Sequence, residues 1–153
     1  PSRVITVSST LHTGARMTWD DLQFERGSSA FKVYGHSKLA NVLFSNELAR
    51  RLSGTGVTSN SLHPGGVRTN IMRHTSAPIR TLTALAKPLM LSPAKGAETV
   101  VYLASSPDVG HVTGEYFYKC RSVAPSSAAL DQADAERLWD ISGELAGISA
   151  SVA

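Results

Sequence analysis

The chain has 153 residues, 42% hydrophobic and 18% charged, with a formal net charge of +3, which suits one soluble globular domain large enough to bury a core. Its ten arginines and five lysines are scattered rather than gathered into a basic run, so no nucleic-acid partner is implied. A single cysteine, Cys120, rules out an intrachain disulfide and fits a reducing compartment, expected to be the cytoplasm, with the thiol read as a small buried hydrophobe.

No segment approaches the run of about 20 apolar residues that a membrane span needs. The nearest, Leu82 to Leu91, is interrupted by Lys87 and Pro88. The chain begins at Pro1 without Met, at the edge of a strand; the expectation is a truncation, with targeting or anchoring information lying upstream.

In chain order, Val4 to Val7 is a β-branched run too short for a helix and suited to a strand buried on both faces of a parallel sheet. It ends in Ser8 and Ser9, where an open α/β sheet binds its ligands beyond the carboxyl ends of the strands. A hydroxyl that merely ties off a strand end would look the same. Leu11 to Ala30 has no sustained period and reads as a loop with one turn of helix, passing over the site. From about Phe31 to Leu52 the chain reads as a helix ended by Gly54-Thr55-Gly56. Leu39, Ala40, Val42, Leu43 and Phe44 are nearly consecutive, so this helix wants cover on two sides, one from the sheet and one from a second copy in a homodimer.

Within that helix lies Val33-Tyr34-Gly35-His36-Ser37-Lys38. Tyr34 and Lys38, at i and i+4, share a face. A phenol is a poor acid or base at neutral pH, and a cation held beside it favours the phenolate and makes it usable as a general acid/base. An amphipathic surface helix with a solvated lysine would carry the same spacing.

Val57 to Leu62 reads as a second strand, broken by His63-Pro64-Gly65, since proline cannot extend the ladder and glycine permits close backbone approach. Ile71 to Leu91 is expected to cover the substrate. Ser92-Pro93 opens a helix running to about Ser105, Thr113 to Tyr118 forms the last strand, and Asp131 caps a closing helix to Leu145 with Leu138, Trp139, Ile141 and Leu145 as its buried stripe. The five histidines lack metal-ligand spacing, and no metal is assigned.

A strand ending in serines, a Tyr-x-x-x-Lys helix, then a strand and Pro-Gly-x-x-x-Thr resembles the second half of a short-chain dehydrogenase/reductase. The likeness is to the retinol dehydrogenase-like branch, through Tyr34-Gly35-His36-Ser37-Lys38-Leu39-Ala40-Asn41-Val42-Leu43-Phe44, His63-Pro64-Gly65, Gly114-Glu115-Tyr116-Phe117 and Ala135-Glu136-Arg137-Leu138-Trp139. The resemblance implies an α/β fold: the C-terminal three strands, with their helices, of a doubly wound Rossmann-type parallel sheet. It implies Ser9, Tyr34 and Lys38 as catalytic residues, and Tyr34, Lys38, Pro64, Gly65, Val67 and Thr69 as contacts to NAD or NADP. For Thr69, a place in the first turn of a following helix is the alternative. Gly66 departs from the family, where a bulkier residue is usual.

The implied reaction interconverts an alcohol and a carbonyl on a lipophilic small molecule by hydride transfer. A truncated, non-catalytic fragment or binding module is the alternative, because no Gly-x-Gly-x-x-Gly or Thr-Gly-x-x-x-Gly-x-Gly cradle for phosphates occurs in the sequence. The cradle, the Asn-Ala-Gly turn and a further catalytic asparagine of the family would precede Pro1, so the 153 residues alone are expected to bind dinucleotide poorly. Sugar-nucleotide epimerases share the Tyr-x-x-x-Lys helix, but the Tyr116-Phe117 and Trp139 segments match the dehydrogenase branch. A serine hydrolase is disfavoured, because no serine sits in a Gly-x-Ser-x-Gly elbow.

Overall fold

The computed structural model describes residues 2–67 and 90–148. Strand β1 (Arg3–Val7) is followed by a 3-10 helix over Thr10–Gly14 and another over Trp19–Asp21. Then come helix α1 (Ala30–Arg51), strand β2 (Thr58–Leu62), helix α2 (Pro93–Ser105), strands β3 (Tyr116–Tyr118) and β4 (Arg121–Ser122), and helix α3 (Gln132–Leu145). The sheet order is β1-β2-β3-β4. β1 and β3 each run parallel to β2, with Val7 opposite Leu62 and Leu62 opposite Phe117, and β4 returns antiparallel to β3.

The helices start where their caps dictate. Ser29, Ser92 and Asp131 each accept a hydrogen bond from a backbone N–H of the first turn, and Pro93 occupies a position whose N–H would have no partner. α1 covers one face of the sheet: Leu39, Val42 and Leu43 are fully buried and cluster with Tyr116, Ala129, Ala135 and Leu138. Each such aliphatic side chain contributes about 1.5–3 kcal/mol by leaving water. α2 covers the other face, where Leu103 joins Leu62, Val109 and Phe117. Helices on both faces of a mainly parallel sheet make this an α/β fold of the expected doubly wound kind.

β2 is buried throughout although it reads Thr-Ser-Asn-Ser-Leu. Thr58 Oγ1 and Ser61 Oγ are buried without a hydrogen-bond partner among the described residues, but Ser59 and Asn60 are put to use: Ser59 Oγ lies 3.1 Å from Ser45 Oγ and donates to the Ser45 carbonyl at 3.0 Å, so two small residues let α1 approach closely. The Asn60 side chain donates to Val112 O and accepts from Glu115 N, holding the start of β3 in place.

The structure departs from expectation at several places. The last parallel strand is shorter than Thr113–Tyr118, because Thr113 spends its hydroxyl on Ser59 N and Gly114 turns the chain at φ 77. A fourth strand follows through a two-residue turn in which Lys119 and Cys120 both have positive φ. Cys120 is therefore half-buried in a turn rather than packed in the core. The stripe of α3 is Ala135 and Leu138; Leu145 is 65% exposed, because α1 ends at Arg51, whose guanidinium already lies over Trp139. Part of the second face of α1 is covered from within the chain: Phe44 stacks on Trp139, and Asn46 donates to Ala129 O.

Candidate active site

The carboxyl ends of β1 and β2 lie side by side, since Val7 is in register with Leu62 and Ser8 N donates to Leu62 O. Ser9 and the His63-Pro64-Gly65 turn thus leave the sheet at one rim. The two serines are not equivalent. Ser8 is buried and its hydroxyl donates to the Lys38 carbonyl at 2.7 Å. Ser9 is half-buried, and its Oγ accepts from Leu11 N at 3.3 Å as the cap of the 3-10 helix, which leaves its O–H proton to be donated elsewhere.

Lys38 connects the other two candidates. Its Nζ donates to Val7 O at 3.3 Å, at the end of β1, and stands 5.4 Å from the centre of the Tyr34 ring. Asn41, one turn further along α1, donates to the same carbonyl at 3.0 Å. The start of α1 is pressed against the serine-bearing helix: a Cβ at Gly35 would sit 3.0 Å from Leu11 O. Tyr34, Lys38 and Ser9 therefore belong to adjoining elements at one rim.

The turn after β2 is rigid for reasons of its own. Gly65 has φ 85, donates its N–H to His63 Nδ1 at 3.2 Å, and would bring a Cβ within 2.9 Å of Leu91. Val67 bridges to Leu91, and its side chain fills the space left by Gly96 of α2. Pro64 is half-buried between them, and Thr69 and most of the expected covering segment lie outside the described residues.

His12 and His63 stand beside this rim, and His36 holds the loop that leads to α1. His63 is stacked on Tyr118 at 4.1 Å; burial, with His12 adding to it, holds its pKa below the ordinary value. His36, inside the Tyr-x-x-x-Lys motif, accepts from Thr18 N at 3.1 Å and meets the edge of Phe24, which ties the 15–27 loop to α1. Burial, then the charge of Lys32, lowers its pKa too. Burial pushes the Tyr116 phenol up to about 12. Asn41 and these histidines were not legible as site residues, although the Ser9-x-x-His12 spacing is that of a 3-10 turn folding back on its cap. Among the described residues no three His, Cys, Asp or Glu side chains come together as a metal group, and no helix is long and apolar enough to cross a membrane.

A family model of the short-chain alcohol dehydrogenase type, described as "Enoyl-(Acyl carrier protein) reductase", matches residues 7–119. The chain belongs to the short-chain dehydrogenase/reductase family. The matched span of this short-chain dehydrogenase/reductase runs from the last residue of β1 to the turn after β3, and so contains the whole candidate site. Retinol dehydrogenase 14 of Homo sapiens is 45% identical over 156 residues, covering 97% of this chain and 45% of that protein. The chain thus spans under half the length of this relative. Among solved structures, an uncharacterised protein from Mycobacterium Paratuberculosis is similar with a TM-score of 0.68 and 27% identity, over 94% of this chain and 50% of that one. An angucycline C-6 ketoreductase with bound NADP is similar with a TM-score of 0.52 and 28% identity, over 75% of this chain and 40% of that one.

Proposed function

We propose that the protein containing this chain is an NAD(P)-dependent oxidoreductase that interconverts an alcohol and a carbonyl on a lipophilic small molecule, with Tyr34 as general acid/base. The observation that carries this is the Lys38 ammonium, standing over the Tyr34 ring while bonded to the last carbonyl of β1, two residues before Ser9. The likeness to a retinol dehydrogenase and to an NADP-bound ketoreductase supports the substrate and cofactor classes.

The donor set fits the nicotinamide–ribose end of a dinucleotide: an ammonium, a phenol and a primary amide at one rim, beside the backbone of Pro64, Gly65 and Val67. The pyrophosphate end has no glycine cradle in this sequence. When bound, the cofactor supplies or takes up the hydride. The chain's own residues do the rest. In reduction, Ser9 donates a hydrogen bond to the carbonyl oxygen and stabilises charge as it develops there. Tyr34 gives its proton to that oxygen, and the Lys38 ammonium stabilises the phenolate left behind. Oxidation reverses each step. The cytoplasmic location remains part of this proposal, supported by the single cysteine, as does a homodimer through α1.

In the full-length protein, Tyr34→Phe should abolish turnover of an aromatic or aliphatic carbonyl with NADPH while leaving the melting temperature within a few degrees of wild type. Turnover retained in the folded variant would remove Tyr34 from the chemistry. A second reading, a non-catalytic module, is favoured for the 153 residues by themselves, since the phosphate cradle is absent and, among the described residues, β1 pairs on one side only. Tight NADPH binding by the isolated chain in a calorimetric titration would overturn that reading.

A further inference from the structure

We infer that His12 is the residue that positions Ser9, acting through both of its N–H groups on the Ser9 carbonyl; the inference rests on the proposed role of Ser9. The His12 side chain is buried, at 1% exposure. Its Nε2 lies 3.1 Å from Ser126 N, and a backbone N–H can only donate, so Nε2 is the acceptor and carries no proton. The proton is then on Nδ1, which stands 2.7 Å from Ser9 O, an atom that can only accept. The partners thus fix the tautomer. His12 N also donates to Ser9 O at 3.1 Å, so one carbonyl takes two donors from one residue.

The consequence is a clamp of short reach. Ser9 is held at its Oγ by Leu11 N and at its carbonyl by His12, and the ring is wedged against the Tyr116 ring, at 4.9 Å between centres, with the Tyr116 hydroxyl 3.5 Å from Nδ1. The far side of the ring is anchored on the loop before the 3-10 helix Ser127–Leu130, which is itself bound to α1 through Asn46. A serine on a single 3-10 turn would otherwise be free to swing with that turn. Here its orientation is referred to β3 and to α1, the tyrosine-bearing helix itself, which pack in one core.

Two near-isosteric substitutions separate the two bonds in the full-length enzyme. His12→Asn keeps a donor at the position of Nδ1 and loses the acceptor for Ser126 N. His12→Gln keeps an acceptor near Nε2 and loses the donor to Ser9. With NADPH and a saturating carbonyl substrate, His12→Gln should lower kcat by about 10- to 100-fold, the effect of a misplacement of about 1 Å, with KM for NADPH unchanged. His12→Asn should retain most of the wild-type kcat despite a lower melting temperature. In a Ser9→Ala background, His12→Gln should cause no further loss, since the clamp then holds nothing that reacts.

Equal kcat losses for the two variants, or a full additional loss in the Ser9→Ala background, would reduce His12 to a packing residue and overturn the inference. Wild-type turnover by Ser9→Ala alone would instead remove the serine from the chemistry, and with it the reason for a clamp. Nitrogen NMR of the wild-type ring does not depend on either variant folding: a protonated Nδ1 and a bare Nε2 are expected, and the reverse tautomer would refute the clamp.

Discussion

Replacing Gly35 with alanine sets two effects against each other at the junction between α1 and the serine-bearing helix. Alanine in a helix interior is favoured over glycine by roughly 0.5–1 kcal/mol, because the unfolded chain has less freedom to lose. Against this, the new Cβ would stand 3.0 Å from Leu11 O and 3.6 Å from Ala15 Cβ. The oxygen is backbone, in a 3-10 turn whose cap is held on both sides, so it yields only by moving the turn. Overpacking of this kind costs about 1–3 kcal/mol. The clash therefore wins, for a net destabilisation of roughly 0–2.5 kcal/mol and a melting temperature lowered by up to about 10 °C. Because the displaced turn carries Ser9 at its cap, kcat in the full-length enzyme should fall about tenfold or more even where stability barely changes. Thermal unfolding and steady-state kinetics on the same preparation read both quantities. A higher melting temperature with unchanged kcat would refute the close approach of these two elements.

Stability should fall as the pH drops below neutrality. His36 and His63 have folded pKa values below their ordinary 6.5, so the unfolded chain binds their protons more readily; their contribution is complete above about 6.5 and is lost as pH falls from there through the lower folded values. Protonation also removes the acceptors of Thr18 N and Gly65 N, so the 15–27 loop and the Pro-Gly turn should lose hydrogen-exchange protection first. Glu47 adds a second, more acidic step: its burial raises the pKa, but hydrogen bonds from Arg50 and Arg51 and their charges outweigh this and hold it below 4.5, so its stabilisation is lost as pH falls below that value. A melting temperature that stays flat between pH 8 and pH 5 would contradict the histidine step, and one that does not fall further below pH 4.5 would contradict the Glu47 step. Cys120→Gly should raise stability by about 0.5–1 kcal/mol in chemical denaturation, because the residue sits at φ 59, where a Cβ is strained, and loses only a 4.0 Å contact from sulfur to Thr99 Oγ1; a destabilised variant would place the strain elsewhere.

The sequence by itself determined the features set by a few neighbouring residues. Caps and periodicity located α1, α2 and α3 to within a residue or two, β-branched runs located β1, and i, i+4 spacing placed Tyr34 and Lys38 on one face. The order of these pieces, with their local motifs, was enough to indicate the family. Only the tertiary structure decided which serine turns outward, because the Ser8 hydroxyl is taken by the Lys38 carbonyl 30 residues away whereas that of Ser9 caps its own 3-10 turn. The fourth strand was hidden because its turn uses Lys119 and Cys120, residues that carry no local signal for positive φ. No role for the His12 and His36 rings was visible in the sequence, since each ring's Nε2 accepts from a backbone N–H, Ser126 N and Thr18 N, that lies 114 and 18 residues away. Leu145 had the spacing of a core residue but no neighbour to cover it. Propensity acts over one turn of chain, whereas burial and hydrogen-bond partnership depend on which distant segments the fold brings alongside.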